Sequence, residues 1–253
     1  MLNLRRSRCL AIVLLLFYVG PGSAAGDTGA EQLKILVYGA TGKIGVHVVD
    51  EALNRGHLVT AVSRDPSRIT QKHENLSAVQ GDILDQASIA DLTNGQDVVI
   101  VSVRGVIGKS KDPHDAVQRI AVENVVDVLR ARGDGAPRLI HVGGAASLEV
   151  EPGVLYARRL PKLFMPKNLE MEIEGQVMAL EYLRGVNDVN WTYATPPKNF
   201  TNGKRTGVYR IGGDQFLLDS LGRNRVSRAD FAVALIDEAE NMEYQQRRFS
   251  VAY

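Results

Sequence analysis

Ile35-Leu36-Val37-Tyr38-Gly39-Ala40-Thr41-Gly42-Lys43-Ile44-Gly45-Val46-His47-Val48-Val49-Asp50-Glu51-Ala52-Leu53 is the stretch that decides the fold. Four consecutive apolar residues read as a buried strand, the glycines as a turn, and the segment from Val46 to Leu53 as a helix. The glycine spacing is G-x-x-G-x-x-G, in place of the more common G-x-G-x-x-G. A strand feeding a glycine turn and then a helix brings backbone N–H groups and the positive end of a helix dipole to one point, which suits a dinucleotide pyrophosphate. A tight turn against a close-packed helix uses glycine too, but the strand before and the helix after favour the nucleotide. The candidate phosphate cradle is therefore Gly39, Thr41, Gly42, Lys43, Ile44 and Gly45.

Moving outward, Gly56 sits where a helix C-cap glycine belongs, and residues 58–62 read as a second strand. In an NAD site an acid follows this strand; here Ser63-Arg64 stands in that place, with Arg64 19 residues after Gly45. A guanidinium pairs with the 2′-phosphate of NADP, where an acid repels it, and Arg68 can join from the next turn. NADP is thus expected over NAD, the alternative being two solvated surface arginines. A third strand, 76–79, runs into Gly81-Asp82-Ile83, where Asp82 either accepts from the adenine amino group with Ile83 packed nearby or simply caps a turn.

A helix at 85–92 and the unbroken apolar run 97–103 follow, the latter typical of a parallel strand buried on both faces. A helix at 115–132, a strand at 138–142 and then Gly143-Gly144-Ala145-Ala146-Ser147 continue the alternation, which argues for an α/β fold with a doubly wound parallel sheet. Beyond it, 152–166 reads as an apolar loop or lid, 170–183 as a helix and 190–193 as a strand. Residues 207–211 and 215–218 read as a hairpin about Gly212-Gly213-Asp214. Ser227 and Asp230 read as a capping box before a helix, and 248–251 as a last strand. The expected organisation is one NAD(P)-binding Rossmann domain over 26–253, with a small C-terminal substrate-binding portion and lid elements mainly in 150–220.

The 253 residues carry 30 basic and 29 acidic side chains, a formal charge of +1. With no dense Lys/Arg cluster, they lack the footprint of a nucleic-acid binder. Residues 1–25 differ from the rest: Arg5, Arg6 and Arg8, then the apolar run 10–19, then Ser23-Ala24-Ala25, the layout of a cleaved secretory signal peptide. Export to a periplasmic, extracellular or lumenal space is the expectation, with no stable membrane span after cleavage. A cytoplasmic protein with a start codon placed too far upstream is the alternative. Arg5-Arg6 also invites a twin-arginine reading, which would carry a folded, cofactor-loaded enzyme across the membrane. Cys9, the single cysteine, would leave with the leader, and the five histidines show no i, i+4 pair, so no metal is expected.

Residues 34–68, Gly81-Asp82, 98–103 and 139–147 resemble the atypical short-chain dehydrogenase/reductases. The match is to the NAD(P)H-binding group described as NADH-flavin reductases and related to biliverdin reductase B. It extends through 142–150, 188–192 and 207–219, nearly the whole chain after the leader, and Gly-Gly-x-x-Ser-Leu is its most specific part. The resemblance implies that backbone from Thr41 to Ile44 holds the pyrophosphate, Arg64 and Arg68 the 2′-phosphate, and Asp82-Ile83 the adenine. Ser102, Val103 and Arg104 would border the ribose and nicotinamide, with Gly143 and Gly144 beneath the ring. Arg104 departs from the small residue common in relatives and would either narrow the pocket or bind an anionic substrate.

The Tyr-x-x-x-Lys proton donor of typical members is absent, since Tyr156, Tyr182 and Tyr193 are followed at the fourth position by Leu160, Val186 and Pro197. Ser147 and Tyr156 are the catalytic candidates near the nicotinamide, against a turn cap and a packed lid residue. The expected activity is NADPH-dependent hydride transfer to a small flavin-, quinone- or ketone-like acceptor entering between Tyr156, Phe164, Met165 and Tyr193. An NADP sensor of the NmrA type and an epimerase or isomerase on the same fold are the alternatives.

Overall fold

A computed structural model describes residues 31–201 and 203–253, and residues 31–253 form one compact unit. The expected leader lies outside the described residues. In chain order the elements are β1 (Lys34–Tyr38), α1 (Gly45–Asn54), β2 (Leu58–Ser63), β3 (Leu76–Gln80), α2 (Gln86–Leu92), β4 (Val98–Val101), α3 (Val117–Arg132) and β5 (Arg138–Val142). There follow β6 (Glu149–Glu151), β7 (Val154–Leu155), α4 (Lys167–Arg184), β8 (Trp191–Thr195), β9 (Asn199–Thr201), β10 (Arg210–Gly212), β11 (Arg225–Ser227), α5 (Arg228–Asn241) and β12 (Arg247–Ala252).

The main sheet runs β3-β2-β1-β4-β5-β8-β12-β10, parallel throughout except for β10 at the edge. Its strands are apolar on both faces because both are covered. Ile35, Val37, Val59, Ala61 and Ile100 pack with α1 and α5, whereas Leu36, Tyr38, Val62, Val99 and Leu139 pack with α3 and α4. The two-residue period of the strands divides these sets without exception in β1. From β1 the chain winds outward to β2 and β3, then returns to β4 and winds the other way. The crevice beyond the C-terminal ends of β1 and β4 is therefore the topological switch point where such sheets hold their ligands.

Three expectations for the C-terminal part are corrected. The hairpin about Gly212-Gly213-Asp214 does not form: Ile211 of β10 pairs antiparallel with Val251 of β12, and Gln215 instead bridges Glu149. The physical reason is that Asp214 accepts hydrogen bonds from Arg184 and Arg248, which hold the turn against the sheet and send the following chain toward β6. The segment 152–166 is a loop only from Leu160 onward, since β6 and β7 pair around Gly153 and a 3-10 turn follows at Tyr156–Arg159. At the start of α5, Ser227 Oγ accepts from the Asp230 N–H at 2.9 Å, but Asp230 does not return the bond. Its carboxylate takes the Thr206 and Gly207 N–H groups and the Tyr253 hydroxyl, tying a distant loop and the C-terminus to α5. Among the described residues no helix is long and apolar enough to cross a membrane.

Candidate functional site

The glycines of the opening turn have separate structural causes. Gly39 has φ +78°, and a Cβ there would lie 2.2 Å from the Ser102 carbonyl oxygen, so only glycine lets the ends of β1 and β4 come together. A Cβ on Gly45 would lie 2.1 Å from the Gly39 carbonyl oxygen; its absence lets α1 start directly against the turn. The Gly42 N–H donates to Gly39 O at 2.9 Å and closes the loop. α1, like α3, begins with no side-chain cap and no acid in its first turn, whereas Asp85 caps α2 and Ser227 caps α5. An uncapped, dipole-positive helix start facing a crevice fits the pyrophosphate of a dinucleotide. Thr41 and Gly42 line this crevice, Ile44 lines the cavity beyond it, and exposed Lys43 lines neither.

A cavity of about 470 Å³ extends from the turn over the ends of β2 and β3, lined by Arg64, Arg68, Asp82 and Ile83. Both arginines are exposed, and neither has an acidic partner among the described residues. The one carboxylate between them, Asp65, is engaged by the Ser67 N–H at 3.2 Å and hydroxyl at 2.6 Å. The cationic end of the cleft is thus left free for an anion. Asp82 caps a turn, one oxygen accepting from the Leu84 N–H at 3.0 Å, and the residue lines the cavity beside buried Ile83. Tyr38 also lines this half with a buried, unpartnered hydroxyl, held in its neutral form by burial and by the charges of Asp82 and Asp85.

A second cavity of about 370 Å³ shares Ser102, Val103 and Arg104 with the first and continues over Gly143, Gly144 and Tyr156. Gly143 is required by what lies beneath it: a Cβ would fall 2.1 Å from the Tyr193 ring. Tyr193 is fully buried, stacks on His141 with centroids 5.5 Å apart, and donates its hydroxyl to the Gln176 carbonyl at 2.9 Å. Burial pushes the Tyr193 phenol up to about 12 and His141 down to about 4, so both are neutral across the ordinary pH range. The His141 ring nitrogens make no hydrogen bond of ordinary geometry, only a weak polar contact with the Gln176 side chain.

Two expectations at this end change. Ser147 is buried and outside the cavity wall; its hydroxyl donates to Gly144 O at 2.8 Å and its carbonyl accepts from Arg248 at 2.8 Å, so it braces the glycine floor from behind. The substrate entrance is not framed by Phe164, Met165 and Tyr193: Phe164 is 90 % exposed, Met165 lines neither cavity, and Tyr193 lies under the floor. Tyr156 does line the cavity, edge-on to Phe216 at 5.1 Å. Arg104 donates to Glu172 at 2.9 Å on the neighbouring wall. Residues the sequence did not single out complete that wall. Lys198 holds its ammonium 5.1 Å from the Tyr156 ring centroid, and Gln176 and Leu169 come from α4. The signal for Lys198 is the preceding Pro196-Pro197, which fixes where the chain goes after β8.

Residues 39–241 match the family described as NAD(P)H-binding, and the chain belongs to that family. Three solved structures show how far the likeness extends. A candidate exported protein from Burkholderia pseudomallei is 34% identical, with 88% of this chain and 100% of that one aligned at a TM-score of 0.71. A candidate epimerase from Bacteroides thetaiotaomicron is 29% identical over 88% and 98% of the two chains, with a TM-score of 0.77. SP1627, a candidate NADH-flavin reductase from Streptococcus pneumoniae, is 27% identical over 87% and 99%, with a TM-score of 0.71.

Proposed function

We propose that this protein is an NADPH-dependent reductase that passes a hydride to a small planar or carbonyl acceptor. The observation that carries the proposal is the continuity of the two cavities. One wall, Ser102 to Arg104, leads from a cleft with a free cationic end at Arg64 and Arg68 to a largely apolar chamber floored by glycine. When bound, the nicotinamide supplies the hydride. The chain's own part is to hold the phosphates at the start of α1, to keep the floor flat at Gly143 and Gly144, and to present the Tyr156 hydroxyl to the acceptor. Tyr156 is the proposed proton donor for carbonyl acceptors; a flavin or quinone ring needs less help from an acid. The likeness to a candidate NADH-flavin reductase supports the flavin side of this reading.

NADPH oxidation followed at 340 nm with flavins, quinones, aldehydes and ketones tests the proposal. Turnover with at least one class is expected, and Tyr156→Phe should lower kcat on ketones by about 10²-fold or more while changing flavin reduction far less. Tight NADPH binding without oxidation by any acceptor would overturn the reductase reading in favour of a sensor. We also propose that the protein is exported after cleavage at Ala25, in keeping with its likeness to a candidate exported protein. The mass of the mature N-terminus from fractionated cells checks this, and an intact Met1 in the cytoplasm would refute it.

A further inference from the structure

We propose that Lys198 makes the acceptor chamber selective for planar acceptors that carry an anionic substituent, a carboxylate or a phosphate. The inference rests on the reductase reading and narrows its substrate class. Two cations line the chamber, and they are not equivalent. Arg104 is committed: its guanidinium meets the Glu172 carboxylate at 2.7 and 2.9 Å, so that pair contributes no net charge. Lys198 has no acidic side chain within ion-pair distance among the described residues. Its ammonium stands over the face of Tyr156, which takes none of its three N–H donors in a conventional hydrogen bond.

The mount is rigid. Buried Pro196 and Pro197 precede Lys198, its backbone N–H donates to Asn224 Oδ1, and buried Asn224 is itself fixed by donating to the Leu217 carbonyl. Lys198 is exposed at the edge of the chamber, whose lining is mainly apolar, with Leu160, Leu169, Ile173 and Phe200. Glu172 is the only acid in that lining, and Arg104 already neutralises it. A chamber with a glycine floor, apolar sides and one cation without an acidic partner at its edge is complementary to a flat ring bearing a negative charge.

Riboflavin and FMN carry the same ring and differ by one phosphate, which makes them the probes. The full chain is saturated with NADP⁺, so that the cofactor cleft is filled and no turnover occurs, and each flavin is titrated by quenching of its fluorescence. FMN is expected to bind at least about fivefold more tightly than riboflavin, the size of a charge-assisted contact at a partly solvated site. Lys198→Met should bring the ratio near one, Lys198→Glu should invert it, and Lys198→Arg should retain it. Lys72→Met, an exposed lysine elsewhere, should leave the ratio as in the wild type. Circular dichroism verifies that each variant is folded. Equal binding of the two flavins by the wild type, or a preference that survives Lys198→Met and Lys198→Glu, overturns this inference alone. Binding of neither flavin overturns this inference alone when some acceptor still oxidises NADPH; no NADPH oxidation by any flavin, quinone, aldehyde or ketone overturns the reductase reading and this inference with it.

Discussion

Removing the Arg64 guanidinium should reduce the proposed preference of the cleft for NADPH over NADH, and removing Arg68 as well should nearly abolish it. Arg64 is exposed at the mouth of the first cavity, four residues from Arg68, and Asp65 between them is engaged by Ser67. A charge-assisted hydrogen bond to phosphate contributes about 1.5–3 kcal/mol. Solvent exposure and the remaining charge of Arg68 place Arg64→Ala at the low end, about 1.5 kcal/mol or roughly tenfold in NADPH affinity. The double change Arg64→Ala/Arg68→Ala should approach about 100-fold if the two act independently. NADH lacks the phosphate and should shift by less than about twofold in either variant. Binding is best measured by isothermal titration with each cofactor and no acceptor, so that turnover plays no part. Raising the salt from 50 to 500 mM should shrink the wild-type preference for NADPH but leave that of the double variant unchanged, because the contact is exposed and screened. Equal losses for NADPH and NADH in Arg64→Ala would refute the 2′-phosphate assignment.

Two further outcomes follow from the floor of the acceptor chamber. Gly143→Ala drives a methyl to within 2.1 Å of a Tyr193 ring that stacks on His141 and is anchored by Gln176. It should cost at least about 1–3 kcal/mol and lower Tm by several degrees. Gly144→Ala meets only the flexible Gln176 Cγ at 3.2 Å and should cost much less, so equal losses in the two variants would show that the ring can yield. His141 gives a pH signature: burial lowers its pKa from 6.5 to about 4, so between these values the unfolded chain binds a proton that the folded chain refuses. Stability should therefore fall as pH drops through that window, by up to about 3 kcal/mol for this group. His141→Phe, which keeps the stacking, should flatten the acid limb of urea unfolding midpoints; an unchanged limb would show that His141 is protonated in the fold.

What was legible in the sequence was local or fixed by spacing. The β1 strand, its glycine turn and α1 are contiguous, and Arg64 follows at the distance set by one βαβ unit, so both could be placed before the chain was folded. Strand partners were not legible. The alternation around Ile211 marks a strand, but nothing in it says that β12, with its free edge, outcompetes the nearer segment at 215–218. The same limit hid the chamber wall. Lys198 meets Tyr156 only because β8 and the turn after β7 end on the same side of the sheet, and no spacing rule joins them. Ser147 misled for the opposite reason: it sits at the expected position in the chain, but its hydroxyl faces the Gly144 carbonyl and Arg248, away from the chamber.

The segment Ser102 to Arg104 borders both cavities, and its Ser102 carbonyl lies close against Gly39. A single ligand that follows this segment would reach both cavities. An adenosine phosphate joined by a short tether to a flat anionic ring would engage Arg64 at one end and Lys198 at the other, with its effective concentration at the second point set by the tether. For a chemist seeking an inhibitor, the common wall makes two modest binding sites into one long one.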